Sequence, residues 1–351
     1  MASYPLNFKR TWTPTNDSTA TLVPCSGAGD LVTSIRQYWY INVCKTVVGK
    51  FNNGEINVEL GENVRNKHAF VVCPLRTGRI NDDCMELFLI IDACNRSDVK
   101  EVTVILPYFP YARSDKKDKP HVPISATVIT RFLETLGVKN VISLDLHAAQ
   151  LQGLMSKGFH NLYIKNSMCE ALIREGYFSA TDHAHNATNF VFVAPDAGSI
   201  KRTEAYAEAF GINYIILHKQ RDYGKPGTVK RSILIANTPD IYRDKTAVII
   251  DDIGDTMGTM IAAIQELVAA GVKDVIIGLS HGVFSTTPDG ITAIEKITNC
   301  THIRAVFITN SLTQPTQVTC CPKIYQICIG QLLACTIDGI LTGKSVSHLV
   351  V

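Results

Sequence analysis

Two adjacent carboxylates, Asp251 and Asp252, end a β-branched run that begins at Ala247, and Ile-Gly-Asp255-Thr256-Met257-Gly258-Thr259 follows. Hydroxyls and backbone N–H groups at a helix start attract a phosphate, and the helix dipole favours it further. Thr256, Gly258 and Thr259 therefore read as a monophosphate cradle. The phosphate would repel Asp251 and Asp252, but they suit the vicinal hydroxyls of an attached sugar, directly or through a cation. The segment has the pattern of a ribose 5-phosphate cradle. The competing reading is that acidic residues merely decorate a helix N-terminus.

Cations for phosphoryl chemistry stand at Lys219 and Arg221, after the run Tyr214 to Leu217 and before Asp222 to Gly227. Phosphoryl transfer needs aligned atoms and neutralised charge more than covalent work by the protein. A loop carrying Lys219 and Arg221 would supply that charge and, by closing, exclude water. The other reading of this pair is an exposed basic strand end on a solvated face. His147 and Asp196 also stand just past apolar runs, Val141 to Leu144 and Phe190 to Ala194. Taken alone, a histidine at a strand end is more often structural than chemical.

The elements that must position these residues follow from periodicity. Short β-branched runs alternate with helix-period stretches from about residue 67, the grammar of βαβ units and parallel sheets. Val102 to Leu106 is a strand, and the helix after it carries Val128, Ile129, Phe132, Leu133 and Leu136 on one stripe up to Gly137. The second half repeats the pattern, with helices over Lys201 to Phe210, capped by Gly211, and Thr259 to Ala270, capped by Gly271. Two similar α/β domains follow, and in such sheets ligands sit beyond the carboxyl ends of the strands. The domain reading is an N-terminal extension over 1–24, a first domain over 25–165 with 336–351 packing back on it, and a second over 166–335.

Composition limits the alternatives. The chain has 351 residues, which suggests two domains at roughly 150 residues each. With 46% hydrophobic and 19% charged residues it can bury a core, so extensive disorder is excluded. The net charge of +2 is too balanced for a coat on nucleic acid or on an anionic membrane. Eleven scattered cysteines without a C-x-x-C pair read as reduced, mostly buried thiols, with strand packing the reading for Cys320 and Cys321. No apolar stretch reaches the roughly 18 to 20 residues a bilayer span needs. Met1 to Val23 is cut by Pro5 and Pro14 and lacks a secretory apolar region, so a cytoplasmic protein is expected. Gly343-Lys344-Ser345 has Asp338 where a Walker glycine belongs, and Gly27-Ala28-Gly29 has Val32 where a dinucleotide glycine belongs; both read as turns.

The Asp251 to Thr259 segment resembles the phosphoribosyl pyrophosphate signature shared by type I phosphoribosyltransferases and ribose-phosphate pyrophosphokinases. Five further motifs resemble the pyrophosphokinases: Lys50-Phe51-Asn-Asn53-Gly-Glu55, Pro107 to Lys119 with Pro123-Ile-Ser-Ala, Asp145-Leu-His147-Ala-Ala-Gln150, Pro195-Asp196-Ala-Gly198 and Leu217-His-Lys219-Gln-Arg221. The likeness runs from about Ser26 to Ser347. It implies two type I phosphoribosyltransferase-like domains, each a mainly parallel sheet flanked by helices. It also implies transfer of the β,γ-diphosphoryl group of ATP to the C1 hydroxyl of ribose 5-phosphate.

By that resemblance Lys219 and Arg221 are catalytic. Phe51, Asn53, Glu55, Arg113, Ser114 and Asp118 meet ATP, with Phe51 stacking on adenine. Asp251, Asp252, Asp255, Thr256, Met257, Gly258 and Thr259 hold ribose 5-phosphate. His147 and Asp196 are associated with Mg2+, which prefers oxygen and makes direct coordination by the histidine the weaker alternative. The resemblance further implies a homo-oligomer built from dimers, hexameric in the family, with the Phe51 loop entering a neighbour's site, and no nucleic-acid or membrane partner.

The chain departs from the family pattern at several positions. Ser114 replaces a glutamine, Asn63 a serine ahead of Arg65, Pro120-His121 a serine-arginine pair, and Val350 a terminal phenylalanine. Asn63, Arg65, His121 and Ser345 mark candidate regulatory positions, where altered phosphate activation is expected and Arg76 and Arg79 are offered as compensating cations. A non-catalytic regulatory homologue and a phosphoribosyltransferase are the alternative functions.

Overall fold

The computed structural model describes residues 17–221, 229–235 and 241–346, with backbone alone at 17–18, 218–221 and 229–234. The chain forms two compact units. The first takes the residues through Ile164, Asn310–Gln314 and those from Cys328 onward; the second takes Lys165–Thr309 and Pro315–Ile327. The first unit runs β1 (Asp17–Pro24), α1 (Gly29–Arg36), β2 (Ile41–Val43), β3 (Thr46–Lys50), β4 (Ile56–Leu60), β5 (His68–Val72), α2 (Ile80–Arg96), β6 (Glu101–Ile105), α3 (Ser125–Thr135), β7 (Asn140–Leu144) and β8 (Gly158–Leu162). The second runs α4 (Lys165–Arg174), α5 (His183–Asn189), β9 (Phe190–Ala194), α6 (Ile200–Phe210), β10 (Tyr214–Arg221), β11 (Val229–Ile235), β12 (Thr246–Gly254), α7 (Gly258–Ala269), β13 (Asp274–Gly282), α8 (Ala293–Asn299), β14 (Ile303–Thr309), α9 (Thr316–Thr319) and β15 (Ile324–Ile327). Helix α10 (Gly330–Thr342) then belongs to the first unit.

Each unit is built on a mainly parallel sheet, ordered β2-β1-β5-β6-β7-β8 in the first and β11-β10-β9-β12-β13-β14-β15 in the second. Every pairing is parallel except β10 with β11, and β3 and β4 form a separate antiparallel hairpin. The central strands β5 and β9 are buried at every position, as strands covered on both faces are, and the one polar residue among them, His68, bonds to Thr103. Helix α6 ends at Gly211, whose φ of 64° lies in the left-handed region that only glycine enters without strain.

The sequence reading is corrected in three places. Residues 17–24 of the supposed extension are β1, seated between β2 and β5, with Ala20, Leu22 and Val23 fully buried. Prolines and polar residues upstream hide this strand in a composition scan. The return to the first unit starts at Cys328 rather than 336, because α10 docks on α1 at Gly330, where even a Cβ would meet the Ser34 backbone at 2.6 Å. On α3 the buried row is Ala126, Ile129, Thr130 and Leu133, whereas Val128 and Phe132 are about half exposed, at 43% and 51%. These two form a second row, and Phe132 packs on Phe88 of α2 with ring centroids 5.3 Å apart. Among the described residues no helix is long and apolar enough to cross a membrane.

Candidate functional site

Strand β12 does not stop at Ile250. It runs through Asp251 and Asp252 to Gly254 and pairs with β13 along that length, so the ladder fixes the backbone of both carboxylates. The Asp252 N–H donates to Asp251 Oδ1 at 2.9 Å. The Arg202 guanidinium, from α6, reaches Asp251 Oδ1 at 3.3 Å and Asp252 Oδ1 at 3.4 Å. Burial, reinforced by the hydrogen bond and charge of Asp252, pushes the Asp251 carboxyl up to about 7, while Arg202 pulls the other way. A half-buried and a buried acid side by side cannot both ionise freely, and a shared cation is the natural relief.

Beyond Gly254 the chain turns sharply. A Cβ at Gly254 would meet Leu279 Cδ1 at 2.4 Å, and its carbonyl accepts the Val283 and Phe284 N–H groups at 2.9 and 3.0 Å. Met257 then adopts the left-handed conformation, φ 59°, just ahead of α7. Its side chain is buried in the core, so it faces a ligand only through its backbone. Asp255 and Thr256 are half-buried, Gly258 and Thr259 are exposed, and the Lys296 ammonium donates to the Thr256 carbonyl at 3.0 Å. The first-turn amides of α7 have no carbonyl four residues back within the helix, which leaves them as donors for an anion.

Lys219 and Arg221 occupy strand positions rather than a loop. They belong to β10, in antiparallel register with Ser232 and Val229 of β11, and the ladder shifts register between Gln220 and Arg221. Their side chains, and Asp222 to Gly227, lie outside the described residues. Asp196 is exposed past β9, and its Oδ1 accepts the Ser199 N–H at 2.9 Å, closing a capping box. His147, in the first unit, is exposed on a turn held from within. Asp145 is buried at a φ of 35°, the Leu146 N–H donates to Asn161 Oδ1 at 2.9 Å, and the Ile164 N–H donates to Asp145 Oδ2 at 3.4 Å. A non-glycine residue held at that φ is strain maintained by its surroundings.

In the first unit the sequence-proposed nucleotide residues stand on exposed turns. Phe51 tops the β3–β4 hairpin at 56% exposure, and its N–H donates to the Glu55 carbonyl at 2.8 Å. Asn53 Oδ1 accepts the Glu55 N–H at 3.1 Å, so the Asn53 amide nitrogen is the group left for a base edge. Lys50, at the turn end of the hairpin, pairs with Asp82 of α2 at 2.6 Å and holds that carboxyl below the usual carboxylate range. Arg113 and Asp118 are exposed. The Ser114 hydroxyl accepts the Ser125 N–H at 3.3 Å, which makes it a fastening for the start of α3.

The regulatory candidates are likewise superficial. Asn63 Oδ1 accepts the Arg65 N–H at 2.9 Å, the Arg65 Nε donates to Asp98 at 3.2 Å, His121 is exposed at a φ of 62°, and Ser345 is exposed past α10. Val350 lies outside the described residues. Arg76 cannot serve as a spare cation: its guanidinium grips buried Asp83 and sits 3.5 Å from buried Glu86. Arg79 pairs with Asp82 at 3.5 Å.

With this geometry in hand, comparison with known proteins is decisive. The family model described as the N-terminal domain of ribose phosphate pyrophosphokinase matches residues 20–137, and the phosphoribosyl transferase domain model matches 165–308. A solved phosphoribosylpyrophosphate synthetase from Mycobacterium smegmatis is 30% identical, with a TM-score of 0.80, covering 93% of this chain and 100% of that one. The chain belongs to the ribose phosphate pyrophosphokinase family. A purine phosphoribosyltransferase from Pyrococcus horikoshii is 18% identical with a TM-score of 0.24, covering 36% of this chain and 76% of that one, too slight a likeness to bear on either fold or function.

Within this pyrophosphokinase-family fold, the sequence reading missed Arg202 and Lys296, which tie the acid pair and the turn of the second unit, and Asn161, which holds the Asp145–His147 turn of the first. Arg202 alone left a signal, as the third residue of a helix that begins just past the Asp196 turn. The others meet their partners only through tertiary contacts.

Proposed function

We propose that this protein is an active ribose-phosphate diphosphokinase. The single observation that carries the reading is the end of β12, where an Arg202-bridged pair of carboxylates leads into a left-handed turn and the N-terminus of α7. The turn's amides and hydroxyls take the 5-phosphate, and Asp251 and Asp252 accept from the ribose 2- and 3-hydroxyls. Phe51 stacks on adenine, Asn53 and Glu55 read its edge, and Arg113 pairs with the nucleotide. The C1 hydroxyl oxygen attacks the β-phosphorus of ATP as its proton passes to solvent, the bond from that phosphorus to the α,β-bridging oxygen breaks, and AMP leaves. Lys219 and Arg221 neutralise the charge that spreads over the phosphate oxygens.

Magnesium fits the donors only in part. Asp196, with one oxygen spent on Ser199, and the Asp251 and Asp252 pair offer the hard oxygens that Mg2+ prefers, while His147 offers nitrogen and suits a bound water better. Among the described residues no cluster of three or more ligating side chains occurs, in keeping with a cation carried mainly by substrate phosphates. When bound, Mg2+ offsets phosphate charge. The reading extends to a cytoplasmic homo-oligomer in which the exposed Phe51 hairpin completes a neighbour's site.

Phosphorus NMR of the protein with ATP, ribose 5-phosphate and magnesium tests the reaction. AMP and phosphoribosyl pyrophosphate should appear. Silence would point instead to a regulatory homologue, and pyrophosphate release from phosphoribosyl pyrophosphate and a base to a phosphoribosyltransferase.

A further inference from the structure

We infer that Lys296 is the positioning residue that sets the anion-binding face of the phosphate turn, an inference resting on the ribose 5-phosphate reading above. Across a trans peptide the carbonyl and the following N–H point in opposite directions, and the chain contains no cis bond among its described residues. The Thr256 carbonyl is drawn to the Lys296 ammonium at 3.0 Å, so the Met257 N–H is turned to the opposite side. The exposed Gly258 and Thr259 open α7 immediately after that N–H.

Without the lysine the Thr256–Met257 plane loses its anchor. A flipped plane would present a carbonyl oxygen, in place of an N–H, to an incoming phosphate. Met257 is where such a flip is cheapest to provoke, because a non-glycine residue at φ 59° is held there by its surroundings rather than by preference.

Lys296 is itself firmly placed. It sits in the first turn and a half of α8, which opens with a capping box between Thr292 and Glu295 and buries Ala293 and Ile297 in the core of the second unit. Asp289, in the turn preceding that helix, is held below the usual carboxylate range chiefly by the Thr287 hydroxyl and the Ile291 N–H, and the Lys296 charge adds to this only slightly. The ammonium meets the Thr256 carbonyl, and it adds positive charge behind the turn. Either contribution favours a dianionic phosphate over a neutral sugar end.

The test compares wild type, Lys296→Met and Lys296→Arg by calorimetric titration with ribose 5-phosphate and with inorganic phosphate, by steady-state kinetics and by thermal melting. The methionine variant should bind ribose 5-phosphate and inorganic phosphate about tenfold more weakly, the scale of one lost charge-assisted contact, with the KM for ATP within about twofold. The arginine variant should recover most of the loss. In amide NMR spectra the Met257 signal should move on phosphate addition in wild type and stay put in the methionine variant. If wild type binds ribose 5-phosphate and the methionine variant binds it equally well, the positioning role is wrong while the parent reading survives. A wild type that takes no ribose 5-phosphate overturns both. Parallel loss of ATP and ribose-phosphate affinity together with a large drop in melting temperature would reduce Lys296 to a structural residue and also overturns the inference.

Discussion

The two units carry their candidate binding residues in opposite ways. In the second, the phosphate turn rises from a paired strand, is packed from below by Leu279 and Phe284 at Gly254, and is tied by Lys296. In the first, Phe51, Asn53, Glu55, Arg113 and Asp118 are exposed, and the Phe51–Glu55 turn is held by local bonds and by the Lys50–Asp82 pair beside it. The difference separates a site organised before its ligand arrives from one that depends on the ligand, or a neighbouring chain, for its final order. Preorganisation lowers the cost of binding, and exposed surface residues leave that cost to be met on binding.

The strongest test of this contrast is Lys219→Ala. If Lys219 supplies the proposed charge, its loss should remove about 3 kcal/mol, or roughly a hundredfold in kcat, with both substrates still bound. Turnover within a factor of two of wild type would strip Lys219 of its role. Next, Asp252→Asn should weaken ribose 5-phosphate binding by about 1 to 2 kcal/mol, the scale of a hydrogen bond to a charged group, and leave ATP binding intact; titration with each substrate alone reads both.

Phe51→Ala should raise the KM for ATP by about 1 kcal/mol, or severalfold, through lost stacking, and leave ribose 5-phosphate affinity unchanged. If the hairpin completes a neighbour's site, mixing this variant with Lys219→Ala should restore activity in hybrid oligomers. Absence of that complementation would confine the hairpin to its own subunit.

Asp251→Asn gives the subtlest signal, in pH dependence. The folded carboxyl titrates near 7, well above the ordinary carboxylate range, so the folded state binds a proton more tightly than the unfolded chain does. Wild type therefore loses stability as pH rises from about 4 to about 7, and the asparagine variant lacks that loss. Its melting temperature should exceed that of wild type at pH 8, and the gap should narrow towards pH 5. A gap independent of pH would contradict the raised carboxyl.

Much of this was legible in the residues. The alternation of β-branched runs with helical stripes gave the two parallel sheets, because periodicity reports which face of each element is buried. The order of strand, acid pair and turn over Asp251 to Thr259 was readable because it depends on neighbours along the chain. The strand β1 was missed because its run follows prolines and polar residues, and Val128 and Phe132 because a stripe read from one helix cannot show which neighbouring row a second helix covers.

The sequence by itself determined the alternation of elements, the acid pair and the turn that follows it, since these depend on neighbours along the chain. The tertiary structure alone decided that Arg202 bridges the acids, that Lys296 turns the peptide ahead of Met257, that Arg76 is consumed by Asp83 and Glu86, and that Lys219 and Arg221 lie on a paired strand. The reason is physical. A side chain's charge is written in its residue type, but the partner that claims it stands 40 to 50 positions away for Lys296 and Arg202, and only the folded backbone brings the two within hydrogen-bonding distance.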